Sequence, residues 1–161
     1  MTQLSGKIAI ITGAGTGIGK GIARAFAGAG ATLVLGSRKR ANLEATAEEA
    51  RGLGATVEVI PADVTVEEDV VALFARTMER FGRVDILVNN SGAFDGGPLD
   101  ELSLETWRKV IDVNLTGPFL CAREAIKIMK PQGGGRILNI GSISAQMPRM
   151  DSAPYTSSKH G

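Results

Sequence analysis

Residues 7–19 constrain this chain more than any other stretch. Lys7-Ile8-Ala9-Ile10-Ile11-Thr12 is a short, nearly continuous apolar run of β-branched character. That pattern belongs to a strand buried on both faces of a parallel sheet. It runs directly into Gly13-Ala14-Gly15-Thr16-Gly17-Ile18-Gly19. Beyond the glycines, Ile18, Ile22, Ala25, Phe26 and Ala29 recur at helical spacing, and Gly28 and Gly30 close the helix. The order is strand, glycine loop, helix. Such a loop lets backbone N–H groups and a helix N-terminus meet a phosphate with no side chain between them. Glycine-rich turns also serve tight packing, so the loop alone does not decide the matter.

The alternation continues along the chain. Residues 31–36 form a second apolar strand, followed by Ser37-Arg38-Lys39-Arg40 and an alanine- and glutamate-rich helix ending near Gly52. Residues 56–60 form a third strand. Thr65 and Glu68 have capping-box spacing and are expected to start a helix that buries Val70, Leu73, Phe74, Thr77, Met78 and Phe81 before Gly82 stops it. Residues 84–88 form a fourth strand, running into Asn89-Asn90-Ser91-Gly92. One long helix is expected over residues 103–130, bounded by Pro131, and a fifth strand over 136–140. The fold class is therefore α/β: a doubly wound, Rossmann-like parallel sheet with right-handed crossovers, in one domain over residues 1–161. Ligands of such sheets sit beyond the carboxyl ends of the strands, which is where the glycine loop, Ser37, Arg38, Asp63, Asn90 and Ser142 fall.

Composition narrows the function classes. With 18 basic and 17 acidic residues the net charge is +1, so nothing points to nucleic acid as a partner. One cysteine excludes an internal disulfide, and with a single histidine it leaves no metal-ligand cluster. No apolar run approaches the roughly 18 residues of a membrane span, and no signal-peptide pattern opens the chain. A cytoplasmic protein with no membrane partner is expected.

Near the end of the chain, Tyr155 and Lys159 are four residues apart. If Tyr155 opens a helix, that spacing puts the ammonium on the phenol's face of it. Ser142 lies upstream with a hydroxyl. Four separated motifs together carry a family resemblance: Thr12-Gly13-x-x-x-Gly17-Ile18-Gly19, Asn89-Asn90-Ser91-Gly92, Asn114 with Gly117 after it, and Ser142 ahead of Tyr155-x-x-x-Lys159. In order and spacing they resemble the short-chain dehydrogenase/reductase family over essentially the whole chain. Ser91 in place of the family's alanine is the one departure, and a small residue should fit there.

The resemblance implies hydride transfer between a nicotinamide cofactor and a carbonyl or secondary alcohol, with Tyr155 as acid/base, Ser142 bonding the same substrate oxygen, and Lys159 supporting both phenol and ribose. Asn114 would hold a water; Pro118, four residues on, has no N–H to offer its carbonyl. Gly13, Thr16, Gly17, Ile18 and Gly19 would cradle the pyrophosphate, Asp63 and Val64 would contact the adenine, and Asn90, Ser91 and Gly92 would also bind the cofactor. An acid at the end of strand two would select NAD, whereas an arginine accepts the 2′-phosphate of NADP. Here Ser37 and Arg38 stand there, and no carboxylate follows until Glu44. Three cations at a helix start oppose its dipole, which favours a bound anion. NADP is expected, with NAD as the alternative.

Phe94, Met147, Pro148 and Met150 surround the serine and make an apolar substrate pocket one reading, with surface packing the other. Cys121 and Trp107 read as packing residues, and His160 as a bystander. Family members run to roughly 250 residues as one domain, so the chain is expected to lack its last third: strands six and seven, the substrate loop and much of a homo-oligomer interface. Strand five would then be a bare edge. The competing expectation is a catalytically inactive dinucleotide-binding fragment or interaction module.

Overall fold

Side chains alternate across a strand, so a run that is apolar throughout needs cover on both faces. The computed structural model describes residues 3–161. Five strands, β1 (Ile8–Thr12), β2 (Thr32–Ser37), β3 (Val57–Pro61), β4 (Ile86–Asn89) and β5 (Arg136–Asn139), pair in parallel in the order β3-β2-β1-β4-β5. Ile8 and Ile10 of β1 join Val34 and Leu87 on one face. Ala9 and Ile11 join Leu33, Leu35, Ile86 and Val88 on the other.

Helices α1 (Gly17–Gly28) and α2 (Arg40–Gly52) cover that second face through Ala23, Ala27, Leu43, Ala47 and Ala50. On the first face, α3 (Glu67–Phe81) contributes Val70, Leu73 and Phe74. The doubly wound sheet is therefore as expected. The chain steps outward from β1 to β3, then returns to the opposite side of β1 with β4. The order reverses between β1 and β4, which opens a crevice at their carboxyl ends.

Three local expectations change. In α1 the fully buried residues are Gly19, Ala23 and Ala27, whereas Ile18 is 66% exposed. Small residues let the helix approach the sheet, and Ile18 is left at the crevice mouth. The Thr65–Glu68 capping box does not form: Val66 is the N-cap of α3 and makes no side-chain cap. The Thr65 hydroxyl and N–H both donate to Asp63 Oδ1, at 2.8 and 3.0 Å, and Asp69 Oδ2 accepts from Asp63 N–H. Glu67, Glu68 and Asp69 still put negative charge in the first turn, and Gly82 ends the helix in the left-handed region at φ 72°.

The single helix expected over 103–130 is three pieces. Ser103 caps α4 (Leu104–Ile111) by accepting from Thr106 N–H, a π turn follows over Asp112–Thr116, and α5 (Gly117–Met129) completes it. In the π turn, Gly117 N–H reaches back five residues to the Asp112 carbonyl. It coincides with the place where Pro118 cannot donate to Asn114. Leu120, Cys121, Ala125 and Met129 of α5 pack on the sheet, while Leu104, Phe119 and Ile126 are exposed. β5 is an outer strand, and Leu138 on it is 42% exposed. The last helix, α6 (Ala153–His160), follows a 3-10 turn at Ile143–Ala145.

At the amino end of the sheet, Val84 and Asp85 precede β4, although the apolar pattern had placed them in it. Asp85 accepts from Ile8 N–H at 2.9 Å and from Arg83 at 2.6 and 3.0 Å, with Lys7 at 3.9 Å. Burial opposes its ionisation, but Arg83, the Ile8 N–H and Lys7 outweigh that and hold its carboxyl below the usual carboxylate range.

Candidate active site

Thr12, the last residue of β1, joins loops that are 78 residues apart in sequence. Its buried hydroxyl donates to the Val88 carbonyl at 3.3 Å and accepts from the N–H groups of Asn90 and Ser91 at 3.0 and 3.1 Å. Asn90 returns the contact: its Nδ2 donates to the carbonyls of Thr12 and Gly13 at 3.0 and 3.1 Å. The glycine loop after β1 and the Asn-Asn-Ser-Gly turn after β4 thus form one unit. Sequence reasoning did not assign Thr12, because its partners lie across the sheet.

Two glycines have steric reasons to be there. Gly13 has φ 62°, and a Cβ on it would lie 3.0 Å from Asn90 Nδ2 and from Ser91 Cα. A Cβ on Gly19 would strike the Gly13 carbonyl oxygen and Asn90 Nδ2. Gly17 begins α1 at φ 53° with open space before it.

The crevice is a cleft of about 670 Å³, within the roughly 300–1,000 Å³ of small-molecule and cofactor sites. Gly13, Thr16, Gly17 and Ile18 line its first wall, Ser37 and Arg38 one end, Asp63 and Val64 the next loop, and Asn90, Ser91 and Gly92 the floor. Gly19 lies beneath the loop, buried. Asn42, Lys109, Val113 and Ile140 also line the cleft, and no sequence signal marked them. Arg40 is committed to Glu44 at 3.1 Å, whereas Arg38 forms no ion pair among the described residues.

Tyr155 and Lys159 open onto the same cleft. Lys159 Nζ stands 5.9 Å from the Tyr155 ring centroid and donates to the Ile140 carbonyl at 2.8 Å. Phe94 meets the Tyr155 ring edge-on, with centroids 5.0 Å apart, and is itself 65% exposed. Asp95, next to it, pairs with Lys109 at 2.9 Å, which holds its carboxyl below the usual range. Ser142 is half-buried beside the cleft-lining Gly141, and its Oγ accepts from Ser144 N–H at 3.1 Å.

Asn114 sits behind the cleft wall in the π turn, 6% exposed. Its Oδ1 accepts from Ala93 N–H at 2.7 Å, and its Nδ2 donates to the Ala93 carbonyl at 2.9 Å and to Ser158 Oγ at 3.0 Å. One amide therefore ties the turn after β4 to α6. Cys121 is fully buried, and burial pushes its thiol up to about 12, so it is no nucleophile. Among the described residues there is no metal-ligating cluster and no helix long and apolar enough to cross a membrane.

A doubly wound sheet whose switch-point cleft is walled by a glycine loop defines the Rossmann-like class of α/β proteins. Within it, the short chain dehydrogenase family model matches residues 7–161, and the chain belongs to that family. It is 39% identical to an oxidoreductase of Thermotoga maritima over 99% of this chain and 62% of that protein. It is 37% identical to a 3-oxoacyl-[acyl-carrier-protein] reductase of Synechocystis over 100% of this chain and 66% of that one. A short-chain dehydrogenase/reductase crystal structure from Mycobacterium marinum superposes with TM-score 0.96 at 36% identity, over 99% of this chain and 64% of that one. An actinorhodin polyketide ketoreductase crystallised with NADPH gives 0.93 at 38%, over 96% and 60%. The chain thus spans slightly under two thirds of the length of most of these relatives.

Proposed function

We propose that the chain carries the cofactor-binding and proton-transfer part of an NADP(H)-dependent oxidoreductase that interconverts a carbonyl and a secondary alcohol. The observation that carries this reading is that Tyr155 and Lys159 open onto the same cleft that the glycine loop lines.

The residues fit the cofactor. Side chains at Gly13 and Gly19 would disrupt the cradle, and α1 begins at the cleft-lining Gly17, which makes its N-terminal N–H groups available to a pyrophosphate. Gly13, Thr16, Gly17, Ile18 and Gly19 form that cradle, Asp63 and Val64 border the adenine, and Asn90, Ser91 and Gly92 take the middle of the molecule. Ser37 and Arg38 hold the 2′-phosphate. The uncommitted Arg38 guanidinium supports NADP over NAD, as does the NADPH named with the actinorhodin ketoreductase. NADP(H), when bound, supplies or accepts hydride at its nicotinamide ring.

In the reducing direction Tyr155 gives its phenolic proton to the developing alkoxide, and Ser142 donates a hydrogen bond to the same oxygen. Lys159 puts positive charge by the phenol and holds the cofactor ribose. Asn114 keeps the turn after β4 in register with α6 and leaves its own carbonyl for a water. Phe94 gives the substrate end an apolar wall. The ketoacyl relatives favour a carbonyl substrate. The exposed apolar residues of α4 and α5 support a homo-oligomer.

The test is Tyr155→Phe, with NADPH consumption followed by absorbance and NADPH binding by its fluorescence. Loss of ketone reduction with binding retained is expected. Substantial residual turnover by the variant would remove Tyr155 from this role. NADPH binding with no turnover even in the unsubstituted chain would instead favour a dinucleotide-binding module.

A further inference from the structure

Two consecutive residues of α6 reach the two ends of one short segment. Lys159 Nζ donates to the Ile140 carbonyl at 2.8 Å, and His160 Nδ1 lies 3.0 Å from the Ala145 carbonyl. A carbonyl oxygen only accepts, so Nδ1 carries the proton in that bond. Ser142 lies between the two anchors. Inside the segment, Ala145 N–H donates to the Ser142 carbonyl at 3.1 Å and Ser144 N–H to Ser142 Oγ, also at 3.1 Å. The turn that carries Ser142 is thus bonded at both ends to the helix that carries Tyr155.

Ser144 of this turn is buried against α6, and Ile140 N–H donates to the Asn89 carbonyl at 2.9 Å. Lys159 faces the cleft, but His160 does not line it. Its ring has one visible task, to fix the far end of the turn against α6.

We infer that His160 is a positioning residue, whose bond to Ala145 sets the register of Ser142 against Tyr155. The inference rests on the substrate role proposed above for Ser142. With the His160 anchor gone, the Lys159–Ile140 bond is the one hydrogen bond of this pair left to tie the turn to α6, and the buried Ser144 still packs there, so Ser142 shifts rather than detaches. Losing one neutral hydrogen bond corresponds to roughly a two- to tenfold change in an equilibrium, and the same scale is expected in kcat.

The test is a double-mutant cycle of His160→Ala and Ser142→Ala, with His160→Asn as the conservative variant because its Nδ2 occupies nearly the place of Nδ1. Reduction of acetophenone by NADPH gives kcat and KM, NADPH fluorescence gives cofactor affinity, and amide hydrogen exchange is read at Ser144 and Ala145. His160→Ala is expected to lower kcat roughly two- to tenfold with NADPH affinity unchanged, His160→Asn to recover most of it, and the loss to vanish in the Ser142→Ala background. The Ser144 and Ala145 amides should exchange faster in His160→Ala and return in His160→Asn. Full additivity in the cycle, or unchanged exchange at both amides, overturns the inference. A Ser142→Ala variant with undiminished turnover would reject the role of Ser142 itself. The exchange data decide whether His160 holds the turn even if the chain reduces no ketone.

Discussion

Asn114 grips Ala93 with both ends of its amide, accepting from the N–H at 2.7 Å and donating to the carbonyl at 2.9 Å. The side chain behaves like a further strand residue bonded to the turn after β4, and its second donor hydrogen reaches Ser158 on α6. Asn114→Ala leaves both Ala93 groups without these partners and should cost about 1–3 kcal/mol. Asn114→Asp keeps an acceptor for the N–H but turns a second acceptor on the carbonyl, so it should not rescue. Chemical unfolding monitored by Trp107 fluorescence checks both, and NADPH titration checks whether the turn after β4 still forms the cleft floor.

Gly19 and Gly21 lie on the same helix but differ in what surrounds them. A Cβ on Gly19 would overlap the Gly13 carbonyl and Asn90 Nδ2, whereas Gly21 has nothing within 4 Å. Gly19→Ala should lose about 1–3 kcal/mol of stability through overpacking and most NADPH affinity. Gly21→Ala should be neutral or stabilise by up to about 1 kcal/mol. Thermal unfolding of the two variants side by side reads the contrast.

Arg38 tests the cofactor assignment. Arg38 lines the cleft, whereas neighbouring Arg40 is held by Glu44. Arg38→Ala should weaken NADPH binding by about tenfold or more, the scale of a charge-assisted bond, and leave NADH binding nearly unchanged. Equal losses for both cofactors would argue against a 2′-phosphate contact.

Asp85 predicts an acid limb of stability. Its carboxyl is held below the ordinary range in the fold, so its contribution is complete above the usual aspartate pKa of about 3.9. That contribution is lost as pH falls from there through the lowered folded value. Asp85→Ala leaves the Ile8 N–H without its acceptor and should cost about 1–3 kcal/mol near neutrality. Denaturant midpoints measured from pH 7 down to pH 3 should show the gap between the two proteins narrowing at the acid end.

The strand-and-helix order, the glycine loop and the Tyr155–Lys159 spacing were legible in the chain because each depends on residues a few positions apart. A period of 2 or 3.6, a glycine where φ is positive and a four-residue helical step are local properties. Even there, Ile18 was placed by periodicity on a buried face it does not occupy, because helix α1 packs through glycine and alanine. The Thr65–Glu68 motif does not cap α3 because the helix starts later, at Glu67 with Val66 as its N-cap, while the Thr65 hydroxyl and N–H bond Asp63.

What only the tertiary structure decided lies at long sequence separation. Sequence alone carries no register between β1 and β4, so it could not show that Thr12 and Asn90 bind each other's loops across 78 residues. Nor could it show that Asn114 reaches both Ala93 and Ser158, or that His160 anchors the turn of Ser142. The reason is physical. Backbone propensity is encoded residue by residue, whereas a hydrogen bond between distant segments exists only after the sheet order has brought their ends together. The chain's own pattern therefore determined the class of fold and the residue types of the site. Packing between β1, β4 and α6 decided which of those residues touch.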